Sequence, residues 1–151
     1  MNQTHMIDVG DKSETRREAV AGGEILMKPE TVEMVATATL PKGNALETAR
    51  VAAIMAAKRT PDLIPLCHPL LITYAGCEFS CDAEMGVIRV QTRVRCNGKT
   101  GVEMEALAAA AAALLTIYDM TKGVDETLEI INIRLLEKRG GKNGDWVNPN
   151  Q

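Results

Sequence analysis

Residues Gly86 to Cys96 alternate with a period of two, and this pattern constrains the fold more than any other stretch of the 151-residue chain. Ile88, Val90, Thr92, Val94 and Cys96 fall on one face, and Arg89, Gln91, Arg93 and Arg95 on the other. Successive side chains of a strand point to opposite sides of its sheet, so the pattern predicts a strand with one buried face. Leu70 to Cys81 reads as its partner in an antiparallel hairpin, turning across Asp82-Ala83-Glu84-Met85. One face of this hairpin belongs to a core; the other is wet or binds something.

The remaining elements follow from local chemistry. Ala19 to Met27 reads as a strand interrupted by Gly22-Gly23, where a bulge is expected. Pro29 suits a first helical position, with a short helix over Glu30 to Thr39. After the break at Pro41-Lys42-Gly43, Asn44 and Glu47 cap a helix that runs through Lys58. Leu46, Ala49, Ala53, Ile54 and Ala57 share one side of it. Pro61, Pro65 and Pro69 then oppose helix and stiffen a connector, PDLIPLCHPL. Thr100 and Glu103 match a capping box opening a helix to about Thr121, with Gly123 as its stop. Thr127 to Lys138 supplies a last strand.

The order β-α(α)-β-β-α-β predicts an α+β fold, the ferredoxin-like split βαβ, with an antiparallel four-stranded sheet and helices packed on one face. Residues 1–15 are expected to be a flexible N-terminal tail, 16–139 a single domain and 140–151 a C-terminal loop. The uncovered face of such a sheet needs a partner, and oligomerisation is the simple solution.

Charge narrows the partners. The formal net charge of -3 excludes a general basic field, so no nucleic-acid partner is expected. Arg89, Gln91, Arg93 and Arg95 also lack the aromatic neighbours on which an RNA-binding sheet stacks bases. The N-terminal residues lack the apolar core of a signal peptide, and Ala106 to Ile117 is too short to span a bilayer. A cytoplasmic protein without a membrane partner is expected. Cys67, Cys77, Cys81 and Cys96 read as reduced, mostly buried thiols. A metal module built on Cys67 and His68 is a rival reading.

His68 sits between Cys67 and Pro69 on the proline-stiffened turn, which fixes its imidazole. A hydrogen-bonded turn histidine is the plain reading, and a functional role requires converging polar groups. Such groups exist. Glu103 is also the expected capping residue, whereas Glu105 has no local role. Asp119 and Lys122 are three apart on the helix and therefore neighbours, as an exposed ion pair or as a carboxylate holding a reactive amine. Arg17, Lys42, Lys58 and Arg59 read singly as surface cations. A non-catalytic domain that binds an anionic metabolite would account for these cations, but it leaves the carboxylates as coincidental salt bridges.

DLIPLCHPL (Asp62 to Leu70), GKTGVEMEAL (Gly98 to Leu107) and LTIYDMTK (Leu115 to Lys122) closely resemble the cyclic pyranopterin monophosphate synthase family, the molybdenum cofactor biosynthesis protein C type. MIDVGDKSETRREA, AAKRTPDLIP and LLEKRGGKNGDW extend the resemblance over nearly the whole chain. The resemblance implies a lyase acting on (8S)-3′,8-cyclo-7,8-dihydroguanosine 5′-triphosphate, a product of GTP. Such enzymes rebuild the purine-derived ring into a pyranopterin, close a cyclic phosphate and release pyrophosphate. It implies no cofactor and no protein-bound metal, with Mg²⁺ left as an unassigned companion of the triphosphate. Carried over by motif, the catalytic residues are Asp119, Lys122 and Lys42. The substrate-binding residues are Leu66, Cys67, His68, Met104, Glu105, Glu103, Arg17, Lys58 and Lys142. The resemblance also implies a homohexamer, a trimer of dimers with active sites at dimer interfaces.

Overall fold

The computed structural model describes residues 2–151. Its elements run β1 (Thr15–Leu26), α1 (Pro29–Ala36), α2 (Ala45–Lys58), α3 (Thr60–Leu63), β2 (Ile72–Asp82), β3 (Val87–Gly98), α4 (Glu103–Thr121), β4 (Glu129–Arg139) and β5 (Trp146–Val147). All strand pairs are antiparallel, in the order β2-β3-β1-β4-β5. Strand β3 therefore lies between β1 and β2, the split βαβ arrangement expected of this α+β chain. The sheet has five strands rather than four. The expected C-terminal loop folds back, and Trp146 and Val147 pair with Lys138 and Glu137.

The alternation in β3 reports its environment faithfully. Ile88, Val90, Thr92, Val94 and Cys96 are buried, whereas Arg89 and Gln91 are exposed. On the far face Glu18 of β1 is held by Arg93 at 2.6 Å and Arg95 at 2.5 Å. Burial alone would push the Glu18 carboxyl up, but hydrogen bonds and charge from Arg95 and Arg93 hold it below the usual range. Gly22-Gly23 does mark an irregularity, because the β1–β4 register shifts between Gly22 and Glu24. Gly23 also permits a close approach: an added Cβ would lie 2.6 Å from Leu114 Cδ1 of α4.

Helices α2 and α4 pack on the opposite face of the sheet and run antiparallel. Lys42, just before α2, reaches the C-terminal end of α4, and Cys67, beyond α3, reaches its first turn. Alanines at every fourth position of α2 (Ala45, Ala49, Ala53, Ala57) meet Ala106, Ala109, Ala110 and Ala113 of α4 in one core cluster. Small side chains let the helix ridges interdigitate closely. Asn44 caps α2 as expected, accepting from the Glu47 N–H at 3.1 Å. By length and composition α4 could cross a membrane, with a mean hydropathy of 1.3, but half of that window is buried inside this fold. Its 19 residues exceed the apolar run from Ala106 to Ile117, so burial rather than shortness marks it as a core helix.

Candidate active site

The capping box expected at Thr100 does not form. Helix α4 begins at Glu103, with Val102 in the capping position and no side-chain cap. Glu103 is freed from that structural role, and one of its oxygens lies 3.9 Å from Lys138 Nζ on β4. Two positions on, Glu105 points into the protein, only 1% exposed. The Cys67 thiol donates to its Oε1 at 3.6 Å, a weak sulfur contact, and Oε2 has no partner among the described residues. Burial pushes the Glu105 carboxyl up; its hydrogen bonds to the backbone and Cys67 do not offset this, and the charge of Glu103 adds to it. Burial, followed by Glu105 itself, pushes the Cys67 thiol up to about 11. Cys67 is thus a thiol donor, and a thiolate ligand is disfavoured.

The proline turn brings His68 and Leu66 beside these carboxylates. A cleft of about 510 Å³ is lined by Leu66, Cys67, His68, Glu103 and Met104 on one side. His5, Ile7, Val9 and Lys12 from the N-terminal segment line the other. Arg17 is buried at the start of β1, donating from Nε to the Gly98 carbonyl at 3.3 Å. Gly140 and Gly141 adopt positive φ (85° and 88°), and a Cβ on Gly141 would collide with the Arg17 guanidinium. The glycine pair therefore lets the chain fold over Arg17 and sets exposed Lys142 immediately after it. Lys58 ends α2 and lines a different groove of about 380 Å³, with Ile54 and the start of β2.

The other candidate residues gather at the far end of α4. Asp119 accepts from Lys42 Nζ at 3.2 Å and pairs with Lys122 Nζ at 3.2 Å, one lysine on each carboxylate oxygen. Lys42 Nζ also donates to the Asp119 backbone carbonyl at 2.9 Å. A helix leaves its last carbonyls without intrahelical partners, so a cation is favoured there. Hydrogen bonds from Lys42 and then Lys122 hold the Asp119 carboxyl below its usual range. The cluster is open to solvent, with Asp119 and Lys122 side chains each 59% exposed.

The structure therefore divides the expected residues into two sets. Lys42, Asp119 and Lys122 form one; Leu66, Cys67, His68, Glu103, Met104 and Glu105 form the other, with Arg17 and Lys142 on the adjoining strand and tail. Lys58 belongs to neither. From Glu105 to Asp119 is fourteen helical positions, or about 21 Å at ~1.5 Å per residue. Lys138 joins the second set and was not expected, because its place opposite Ala19 of β1 depends on long-range register. Among the described residues, no three His, Cys, Asp or Glu side chains group as a metal ion would need. Cys77 and Cys96 are buried as expected, but Cys81 is exposed. It lies on the edge strand β2, which pairs on one side with β3.

Residues 6–141 match the model of the MoaC family. The chain belongs to the MoaC family. It is 55% identical over 144 residues to a cyclic pyranopterin monophosphate synthase of Chloroflexus aurantiacus, covering 95% of this chain and 88% of the relative. The synthase of Roseiflexus sp. is 53% identical, covering 97% of this chain and 92% of its own length. That of Brucella ovis is 54% identical, with coverage of 95% and 87%. Family membership accords with the resemblance carried by the proline turn and the two ends of α4.

Proposed function

We propose that this chain is a cyclic pyranopterin monophosphate synthase of molybdenum-cofactor biosynthesis, a phosphorus–oxygen lyase. It converts (8S)-3′,8-cyclo-7,8-dihydroguanosine 5′-triphosphate to cyclic pyranopterin monophosphate and pyrophosphate. In a chain of this family, one observation carries the reading furthest: the proton-transfer groups and the recognition groups occupy opposite ends of one helix, about 21 Å apart at ~1.5 Å per residue. A single copy cannot apply both to one nucleotide. The active site is therefore composite, with the C-terminal end of α4 from one copy facing the N-terminal end of another, within a hexameric trimer of dimers. Leu115, Tyr118, Asp119 and Lys122 support that pairing, because their spacing of three, four and seven places apolar and reactive groups on one exposed face of α4.

Each residue then has a role. His68 and Glu105 fix the guanine-derived ring, with Leu66, Cys67 and Met104 shaping the cleft and Glu103 beside them. Glu105 suits ring recognition because it is buried beside the cleft with one carboxylate oxygen unpartnered among the described residues, and burial raises its carboxyl. Arg17 and Lys142 hold the triphosphate and stabilise departing pyrophosphate, where charge accumulates, and Lys58, which lines a separate groove of its own chain, joins them from a neighbouring copy. Lys42 and Lys122 exchange protons with ring nitrogens and the attacking oxygen, and Asp119 orients both. No resident cofactor or metal is assigned; Mg²⁺ enters only with the triphosphate. The partners are the small-molecule substrate and further copies of this chain in the cytoplasm, with neither nucleic acid nor membrane.

The test is turnover of the authentic cyclic triphosphate by the purified protein, with the pterin oxidised and read by fluorescence. Pterin and pyrophosphate in equal amounts, lost in Lys122→Ala, are expected. A folded oligomer that leaves the substrate intact refutes the reading.

A further inference from the structure

Residues 5–12 have no regular element apart from a turn at Gly10 and Asp11, yet they form one wall of the cleft whose other wall carries His68 and Glu103. Two tethers from outside the segment hold it. The His68 imidazole, through Nε2, donates to the Ile7 carbonyl at 2.7 Å, and Lys99 Nζ donates to the Gly10 carbonyl at 3.0 Å. A local turn stiffens the segment: Lys12 N–H donates to Val9 O at 3.0 Å and Gly10 N–H to Asp8 Oδ1 at 2.8 Å. Its hold on the core is slight, since Ile7 is 68% exposed and Val9, half-buried, lies outside the core cluster.

The wall can be lifted without disturbing the core, and both tethers end on backbone carbonyls, which a more strongly accepting ligand readily replaces. Moreover, the segment brings Lys12 to a cleft whose opposite wall bears the Glu103 carboxylate. That ammonium offers a phosphate the counter-charge which the facing wall withholds.

We propose that residues 5–12 are a strap that closes over the substrate, with the His68–Ile7 hydrogen bond as its latch in the free protein and Lys12 as its contact to the triphosphate. This rests on the synthase reading for the identity of the substrate. Entry of the nucleotide transfers the His68 N–H from the Ile7 carbonyl to a ring acceptor. The strap then recloses through Lys12, so the segment contributes to affinity rather than to proton transfer.

Steady-state kinetics and limited proteolysis together test it. Lys12→Ala is expected to raise KM about tenfold with kcat within about twofold, as the loss of one uniformly used charged contact requires. Lys12→Arg is expected to restore most of that loss. In full-length Lys122→Ala protein, which leaves the ligand uncleaved, the substrate is expected to slow tryptic cleavage after Lys12. An unchanged KM in Lys12→Ala, or cleavage after Lys12 as fast with substrate as without it, overturns the strap. If wild-type protein proves inert on the authentic substrate, the synthase reading falls instead. Inorganic tripolyphosphate then serves as the probe in the tryptic arm: protection supports the strap, and its absence overturns it.

Discussion

A composite site makes a quantitative prediction for mixed oligomers. Let one variant lack the C-terminal end of the site, Lys122→Ala, and another lack the N-terminal end, His68→Ala. Lys122→Ala is expected to lose about two orders of magnitude or more in turnover, the usual contribution of a proton-transfer group, and His68→Ala a similar factor, because a bound ring misplaced by about 1 Å costs about as much. The two sites of a twofold-symmetric pair each take one end of α4 from each copy. Random mixing yields mixed pairs in about half of cases, and each mixed pair holds one doubly defective and one fully intact site, so about a quarter of wild-type activity returns. Under the proposed composite site this outcome follows from the roughly 21 Å that α4 puts between Glu105 and Asp119. The assay is pterin fluorescence after unfolding and refolding the mixture, with subunit exchange checked by native mass spectrometry. Fully exchanged oligomers no more active than the parent variants would falsify the composite arrangement.

Two further predictions concern stability. Asp125 is buried and accepts from Lys28 N–H (2.9 Å), Thr31 hydroxyl (2.7 Å), Thr127 N–H (2.7 Å) and Thr127 hydroxyl (2.6 Å), stapling the start of α1 to the α4–β4 loop. Burial would raise its carboxyl, but the Thr127, Lys28 and Thr31 hydrogen bonds outweigh that and depress it strongly. Asp125→Ala is therefore expected to cost about 3 kcal/mol in urea unfolding at neutral pH, with buried donors left unpaired. The depressed carboxyl makes this contribution fully present above the unfolded Asp value, near ~4, and it fades as pH falls toward the folded value. A difference between wild type and variant that persists unchanged into strong acid refutes the argument. Glu105 has the opposite sign: its folded carboxyl is raised, so ionisation weakens the fold as pH rises past the unfolded value. Glu105→Gln is expected to be no less stable than wild type at neutral pH, and its advantage should grow with pH in thermal unfolding.

What the sequence disclosed and what it concealed follow a physical division. Strict alternation in β3, the Asn44 cap and the double glycine in β1 act within a few residues, and each appears in the structure where the pattern puts it. Thr100 misled because a capping box is only a spacing; Gly101 and Val102 delay the helix, so Glu103 opens it instead of closing a box. Lys138 was illegible for a different reason. Which face of β4 it occupies depends on the irregular register with β1, a property of two segments more than a hundred residues apart. Asp125 could have been found, since Asp-Glu-Thr is a local signal for a side-chain turn bonding the backbone two residues on. The N-terminal wall of the cleft carried no such signal, because its hold on the protein is through backbone carbonyls that any residue supplies.

The exposure of the lysine cluster is itself an argument for what surrounds it. Lys42, Asp119 and Lys122 meet with side chains 49–59% exposed, and ion pairs so solvated contribute little to stability. Proton transfer gains from the same groups only when water is excluded, because charge–charge effects weaken steeply in a high dielectric. Among the described residues, nothing covers them. Yet the flanking surface is apolar, with Leu115 62%, Tyr118 37% and Val124 40% exposed. A second copy laid across that face would bury these side chains and desolvate the cluster in one step. In the proposed composite site, folding of the single chain would shape the cleft end, and assembly would complete the reactive end. On this reading, substitutions at Leu115 or Tyr118 that weaken association should lower kcat along with oligomer stability.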